Sequence, residues 1–163
     1  MHIACFTGNR IERLPSIFYT ANNESSILKQ KLEDEIKKAL SNGYAHFIST
    51  MQLGIDIWGA EIVLRVKNFY PKVVLEASLP YENQADFWDE SQRELYFNIL
   101  AECDYINYAS THYTASCDKL ARTYMIDKSQ LLIAVYDGND KETMATINYA
   151  ETKGLNIVKI SIS

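Results

Sequence analysis

Short apolar runs alternate along this chain with longer segments in which apolar residues recur at helical spacing. The short runs, rich in β-branched or aromatic residues, cover residues 2–6, 45–49, 72–78, 105–109, 131–136 and 156–160. The helical segments between them cover residues 25–40, 55–69, 92–103, 119–128 and 143–153. Short connections between alternating strands and helices favour right-handed βαβ units. The pattern therefore predicts an α/β fold, in which one Rossmann-like domain over residues 1–163 has a mostly parallel sheet with helices on both faces.

Two of the predicted strands are apolar without alternation, in residues 73–75 and 131–135, as expected of strands covered on both faces. The helical segments predict which faces are buried. In the fourth of them, the spacing places Leu120, Tyr124 and Asp127 on one face. Gly43 and Gly154 follow two of the segments at positions typical of helix ends.

The charge of the chain disfavours bulk binding to nucleic acid. Sixteen Lys and Arg residues stand against 21 Asp and Glu residues, which gives a net charge of -5, whereas proteins that bind the phosphate backbone usually present a basic face.

Cys5, Cys103 and Cys117 show no spacing typical of disulfide frameworks or zinc sites, so no metal site is expected. No leader or membrane-length apolar segment is visible, which predicts a cytoplasmic protein without membrane contact. Whether it forms a homo-oligomer stays open.

In a parallel α/β fold, ligands bind beyond the carboxyl ends of the strands, where the strand order reverses. The first such turn reads Thr7, Gly8, Asn9 and Arg10. It offers a hydroxyl, unhindered backbone, an amide and a cation suited to phosphate. The alternative is a tight turn with a solvated arginine. No G-x-G-x-x-G fingerprint of dinucleotide-binding domains occurs in the chain.

The second turn leads into a helix through Gln52, Gly54 and Asp56. Gly54 and the backbone near Gln52 suit close approach of a ligand. For Asp56, a helix N-cap is the simpler interpretation. Glu61, farther along the same helix, is either a ligand-binding or catalytic carboxylate or a solvated helix residue.

Later segments supply further candidate side chains. Tyr81 and Trp88 could flank a base or a sugar, or they could pack as a loop over the end of the sheet. Arg122 lies in the helix that precedes the fifth strand. The full set of later candidates is Pro80, Tyr81, Gln84, Trp88, Arg122, Asp137, Gly138 and Thr143.

Two blocks of sequence, residues 52–61 and 125–138, together with Thr7 to Arg10, Pro80, Gln84, Trp88 and Arg122, resemble the YpsA-like branch of the SLOG superfamily. The resemblance covers nearly the whole chain. It implies a Rossmann-like fold that binds nucleotides or nucleotide-derived ligands such as ADP-ribose or NAD, with the 137–143 loop closing on phosphate. Relatives in the superfamily include DprA proteins, which process DNA, and LOG-type phosphoribohydrolases.

The chain departs from the family pattern at three places. Arg122-Thr123 stands where the branch usually has Arg-Asn, and Lys141-Glu142-Thr143 stands where it usually has Gly-Gly-Thr. The second change removes two glycines and places Glu142 where a phosphate would approach. The position of the hydrolases' catalytic glutamate is Thr146 here.

Three functions remain open from the sequence. The first is non-catalytic binding or sensing of a nucleotide-derived small molecule. The second is hydrolysis of a nucleotide N-glycosidic bond, with Glu61 as the candidate carboxylate. The third is sequestration of a signalling nucleotide. A role in DNA processing is disfavoured by the acidic charge balance.

Overall fold

The computed structural model describes residues 2–9 and 23–162, and Arg10 lies outside them. Strands and helices alternate along this part of the chain. The strands are β1 His2–Gly8, β2 Tyr44–Ser49, β3 Val74–Tyr81, β4 Tyr105–Ser110, β5 Leu131–Tyr136 and β6 Asn156–Ser161. The helices are α1 Asn23–Ser41, α2 Ile55–Lys67, α3 Glu90–Glu102, α4 Cys117–Lys128 and α5 Lys141–Thr152.

The strands form one sheet in the order β4-β3-β2-β1-β5-β6, and every pair of neighbours is parallel. The strand order reverses between β1 and β5, where Thr7 is paired with Ala134 and Gly8 with Val135. Because all strands run the same way, their carboxyl ends meet at one edge of the sheet. The predicted α/β, Rossmann-like fold is confirmed.

Helices cover both faces of this sheet. On one face, Leu32 of α1, Ile62 of α2 and Ile99 of α3 belong to a buried cluster with residues of the strands. On the other face, Met125 of α4 and Ile147 of α5 belong to a second cluster. No helix in the described ranges is long and apolar enough to span a bilayer.

The prediction of which face of α4 is buried is wrong. Its buried residues are Cys117, Ala121, Met125 and Ile126, whereas Leu120 is 49% exposed. Small side chains at Cys117 and Ala121 let the helix lie close to the sheet. A prediction that follows only the large apolar residues misses such a face.

The start of α2 is packed directly against the end of β1. A Cβ added at Gly8 would lie 2.5 Å from Cγ1 and 2.6 Å from Cβ of Ile55. One turn later, a Cβ at Gly59 would meet the Phe6 ring at 3.0 Å. The absence of a side chain at these two positions therefore brings α2 into contact with β1.

Candidate ligand-binding site

A cavity of about 280 Å³ opens beyond the carboxyl ends of the strands on the β2–β4 side of the sheet. The described residues that line it are Gln52, Leu53, Tyr81, Gln84, Trp88, Tyr113 and Asp118. Four predicted site residues, Gln52, Tyr81, Gln84 and Trp88, thus meet in one cavity although they come from two separate segments. We call this the carboxyl-edge cavity.

The turn after β2 is held by buried hydrogen bonds. The Thr50 hydroxyl donates to the Asp56 carboxylate, and the Ser49 hydroxyl donates to the Asp56 carbonyl at 2.7 Å. Met51 has a left-handed backbone with φ 62°, and Gly54 occupies the N-cap of α2. The interpretation of Asp56 as the N-cap is therefore wrong. Its side chain instead ties the first turn of α2 to the turn that presents Gln52.

The opposite wall of the cavity is the segment between β3 and α3. Gln84 donates through Nε2 to the Thr50 carbonyl and to the Tyr96 hydroxyl, both at 3.2 Å. The Trp88 ring meets the Tyr96 ring edge-on, with centroids 5.0 Å apart. Burial raises the pKa of Tyr96 to about 12, so its hydroxyl stays neutral. The contacts with the buried Tyr96 therefore hold the side chains of Gln84 and Trp88 in place.

Asp118 brings a negative charge to the cavity. It lies in the first turn of α4, where the helix dipole favours a carboxylate, and it accepts a hydrogen bond from Gln52 Nε2 at 3.3 Å. Tyr81 and Tyr113 form an edge-on ring pair, with centroids 5.5 Å apart. Burial and then the charge of Asp118 raise the pKa of Tyr81 above its ordinary value. Tyr81 therefore keeps its hydroxyl proton near neutral pH.

The predicted residues at the end of β1 lie elsewhere on the same edge. Thr7, Gly8 and Asn9 stand beside the end of β5, at the reversal of strand order, and none of them lines the carboxyl-edge cavity. Thr7 and Asn9 are buried. The next turn along, after β5, has Gly138 at φ 91° and Asp137 accepting from the Asn139 N–H at 2.9 Å.

The first turn of α5 uses Thr143 as a capping partner. The Thr143 N–H and hydroxyl donate to Asp140 Oδ2 at 3.0 and 2.5 Å. Arg122 lies across from this turn, with its guanidinium 3.5 Å from the Glu142 carboxylate. Arg122 also lines a groove of about 380 Å³ between α4 and α5, with Thr146 and Tyr149 among the other lining residues.

Two other predicted residues stand apart from the carboxyl-edge cavity. Glu61 lines a groove between α2 and α3, beside Leu64, Leu95 and Glu102. Pro80 is buried within β3, which extends past it to Tyr81. The described residues include no group of three His, Cys, Asp or Glu side chains that could hold a metal ion.

Asp118 and Tyr113 line the cavity but are not among the site residues that the sequence predicts. A signal for Asp118 was present, because an acidic residue follows the carboxyl end of β4 at the start of a helix. Its proximity to Gln52, 66 positions earlier in the chain, depends on β2, β3 and β4 being adjacent in the sheet.

The fully parallel sheet with helices on both faces makes this chain a Rossmann-like α/β domain. Its polar, aromatic-lined cavity lies beyond the carboxyl ends of the strands, which is the edge where such domains bind ligands. The family model described as the YspA SLOG family matches residues 4–160. The chain therefore belongs to the YpsA SLOG family, as its sequence resemblance implied.

Curated relatives carry the family name UPF0398. The UPF0398 protein of Halalkalibacterium halodurans is 27% identical over 139 residues, which cover 84% of this chain and 73% of that protein. The UPF0398 protein of Bacillus thuringiensis strain Al Hakam is 30% identical over 139 residues, which cover 84% of this chain and 75% of the relative.

A solved structure shares the fold. The X-ray structure of DNA processing protein A (DprA) from Streptococcus pneumoniae superimposes with a TM-score of 0.63 at 11% sequence identity. The match covers 97% of this chain and 50% of the DprA chain, so this chain corresponds to half of that protein. At this identity the likeness concerns the fold.

Proposed function

We propose that this chain binds a nucleotide-derived small molecule at the carboxyl edge of its sheet, without chemical change to the ligand. The observation that carries the proposal is the carboxyl-edge cavity itself. It gathers aromatic rings, side-chain amides and a carboxylate from the ends of three neighbouring strands. Aromatic faces suit a base or a sugar, and amide and carboxylate groups suit their polar edges.

The size of the cavity limits what it holds. Pockets that enclose a drug-sized ligand usually measure roughly 300–1,000 Å³, so a cavity of about 280 Å³ suits one nucleoside-sized fragment. A larger ligand, such as ADP-ribose or NAD, would extend beyond it. Neighbouring strands are spaced about 4.8 Å apart, and the reversal of strand order between β1 and β5 lies along the same edge of the sheet as the cavity. The remainder of a larger ligand would extend along this edge toward that reversal.

Hydrolysis of an N-glycosidic bond is less well supported. Such chemistry needs an acid or base within hydrogen-bond reach of the bond that breaks. Glu61 lines the separate groove between α2 and α3. Thr146, at the position of the hydrolases' glutamate, donates its hydroxyl to the Glu142 carbonyl at 3.0 Å. Sensing and sequestration of a ligand would both use the carboxyl-edge cavity. The acidic charge balance of the chain favours a small ligand over DNA.

Thermal unfolding with a panel of ligands tests the proposal. AMP, ADP-ribose, NAD and cyclic dinucleotides would each be added to the purified chain over a concentration series. A ligand at about 100 times its Kd stabilises the folded state by about 2.7 kcal/mol, which raises Tm by roughly 5–10 °C in a domain of this size. Absence of a shift with every compound at millimolar concentration overturns the proposal.

Three variants locate the binding site and test the alternative function. Gln52→Leu should abolish the ligand-dependent shift, whereas Gln30→Leu, on the exposed face of α1, should leave it unchanged. The same samples are then separated by chromatography to detect free base. Release of base that disappears in Glu61→Gln would replace binding with hydrolysis as the function.

A further inference from the structure

The two edges of the sheet differ in how they are protected against pairing with another strand. Among the described strands, β6 forms one edge and β4 the other. An edge strand presents unpaired backbone N–H and C=O groups, and a charged side chain or a proline usually blocks pairing there. β6 carries the exposed Lys159. β4, with the sequence Tyr-Ile-Asn-Tyr-Ala-Ser, has no charged residue, no proline and no glycine. β4 is therefore the edge that is open to a further strand.

Three large hydrophobic side chains of β4 are exposed. Tyr105 is 58%, Ile106 40% and Tyr108 48% exposed. Successive side chains of a strand point to opposite faces of the sheet. Tyr105 therefore lies on one face, together with Glu76, its register partner on β3. Ile106 and Tyr108 lie on the other face. A further strand beside β4 would cover hydrophobic surface on both faces.

We infer that β4 pairs with β4 of a second copy of this chain, antiparallel and about a two-fold axis, so that the two sheets become one. A strand edge is complementary to its own copy, because the axis brings the donors of each strand to the acceptors of the other. Such a contact closes as a dimer. Pairing of β4 with the opposite edge, β6, would be heterologous and would meet the charge of Lys159. The inference is independent of the proposed ligand.

The two-fold axis restricts the register of the paired strands. Residues directly opposite each other in an antiparallel pair have their side chains on the same face, so the axis passes beside one residue rather than between two. With the axis at Asn107, Ile106 lies opposite Tyr108 of the second copy, and this pair occurs twice. Pairs of an aromatic and a β-branched side chain stabilise antiparallel strands. With the axis at Tyr108, Ile106 would lie opposite the polar Ser110, so the first register is favoured.

The charges near β4 are compatible with this register. Asp104, directly before the strand, lies opposite Ser110 of the second copy, so like charges of the two segments do not meet. Asp104 is also paired within its own copy with Lys67, at 2.8 Å. Asn107, at the axis, donates to the buried Glu76 at 2.6 Å, which holds its side chain within its own copy. The two strands can therefore approach although each copy has a net charge of -5.

Sedimentation velocity of the purified chain over a concentration series tests the inference. Wild type should sediment with twice the mass of one chain at high concentration and should dissociate on dilution. Ile106→Lys adds a charge to each of the two Ile106–Tyr108 pairs and should raise the dimer dissociation constant about tenfold or more. Ile27→Lys makes the same change at an exposed position of α1 and should leave the dissociation constant unaltered. Circular dichroism checks that both variants are folded.

A double variant tests the register. Tyr108→Glu alone should weaken the dimer as Ile106→Lys does. The two substitutions together place opposite charges across the axis, so the double variant should form a tighter dimer than either single variant. Weakening by both single variants without this recovery overturns the pairing centred on Asn107.

Hydrogen exchange of wild type supplies a readout without any substitution. Backbone amides of β4 should exchange more slowly at concentrations where the chain is dimeric than at high dilution. Three results overturn the inference: a wild type that is monomeric at every concentration, a dimer that Ile106→Lys leaves as tight as wild type, or exchange of the β4 amides that does not change on dilution. A different protein as the natural partner of β4 would give the first of these results.

Discussion

The imidazole Nε2 of His46 lies 2.7 Å from the carboxylate Oε1 of Glu76, within the sheet and away from the carboxyl-edge cavity. The side chain of Glu76 is 2% exposed. Its other oxygen accepts from Asn107 Nδ2 at 2.6 Å and from the Tyr124 hydroxyl at 2.7 Å. Lys128 donates to the Tyr124 hydroxyl at 3.0 Å. One buried carboxylate thus joins β2, β3, β4 and α4.

Loss of the Glu76 carboxylate should strongly destabilise the fold. Glu76→Ala leaves His46, Asn107 and Tyr124 without their shared acceptor in a buried region. Breaking a buried, paired charge typically costs about 3–5 kcal/mol, and urea unfolding followed by circular dichroism would measure the change. Glu102→Ala, an exposed glutamate at the end of α3, serves as the control and should change stability by less than about 0.5 kcal/mol. Equal losses in both variants would contradict the central role of Glu76.

The same carboxylate should make stability depend on acid pH. Burial alone raises the pKa of Glu76, but hydrogen bonds from His46 and Tyr124 and the charge of Lys128 outweigh it, so that the pKa falls below the ordinary 4.5. A carboxyl group with a lowered pKa in the folded state stabilises the fold above its unfolded pKa, and this contribution is lost as pH falls through the folded pKa.

The measurement is the free energy of unfolding of wild type and Glu76→Gln from neutral pH down to about pH 3. Gln keeps a hydrogen-bonding side chain of the same size and does not titrate. The advantage of wild type over the variant should be constant above pH 4.5 and should shrink below it. A difference that stays constant to the acid end would show that Glu76 does not carry this pH dependence.

Much of the fold could be predicted because the secondary structure follows local periodicity. The run of residues 131–136 matches β5 without change, and the other strands and helices shift by only a few residues at their ends. The Glu76 cluster could not be predicted in this way. Its carboxylate follows the apolar residues 73–75, and its partners lie 30, 31 and 48 positions away. Such pairing depends on strand order, which local spacing does not encode.

The candidate site was only partly predictable for the same reason. The sequence shows which residues follow a strand, and it therefore predicts Gln52, Tyr81, Gln84 and Trp88 as site residues. Which of these positions share a cavity depends on the sheet order β4-β3-β2-β1-β5-β6. That order separates Gly8, at the reversal of strand order, from Tyr81 on β3, although both lie at the carboxyl edge. The same strand order also places Asp118 within hydrogen-bond distance of Gln52.

Substitution of Gly8 should destabilise the fold for steric reasons. A Cβ at this position would lie 2.5 Å from Ile55 Cγ1 and 2.6 Å from Ile55 Cβ, so Gly8→Ala must displace α2 from β1. Forced overpacking of this kind typically costs about 1–3 kcal/mol.

Gly154→Ala separates this steric cost from a purely conformational one. Gly154 has φ +79°, and a Cβ added there would lie in open space, so its substitution by Ala carries backbone strain of about 1 kcal/mol without a clash. Thermal unfolding of both variants should show the larger loss for Gly8→Ala. A smaller loss at Gly8 than at Gly154 would contradict the close packing of α2 on β1.

Neutralising Glu142 should strengthen binding of phosphate-bearing ligands. Glu142 stands in the first turn of α5, where the dipole otherwise favours an anion, and its carboxylate lies 3.5 Å from the Arg122 guanidinium. Glu142→Gln removes the negative charge that Arg122 faces and the repulsion that a phosphate would meet. By isothermal titration, the variant should bind AMP several-fold more tightly than wild type, while adenosine affinity stays the same. Glu151→Gln, on the exposed end of α5, is the control for net charge, and equal gains in the two variants would show that Glu142 has no local effect on phosphate.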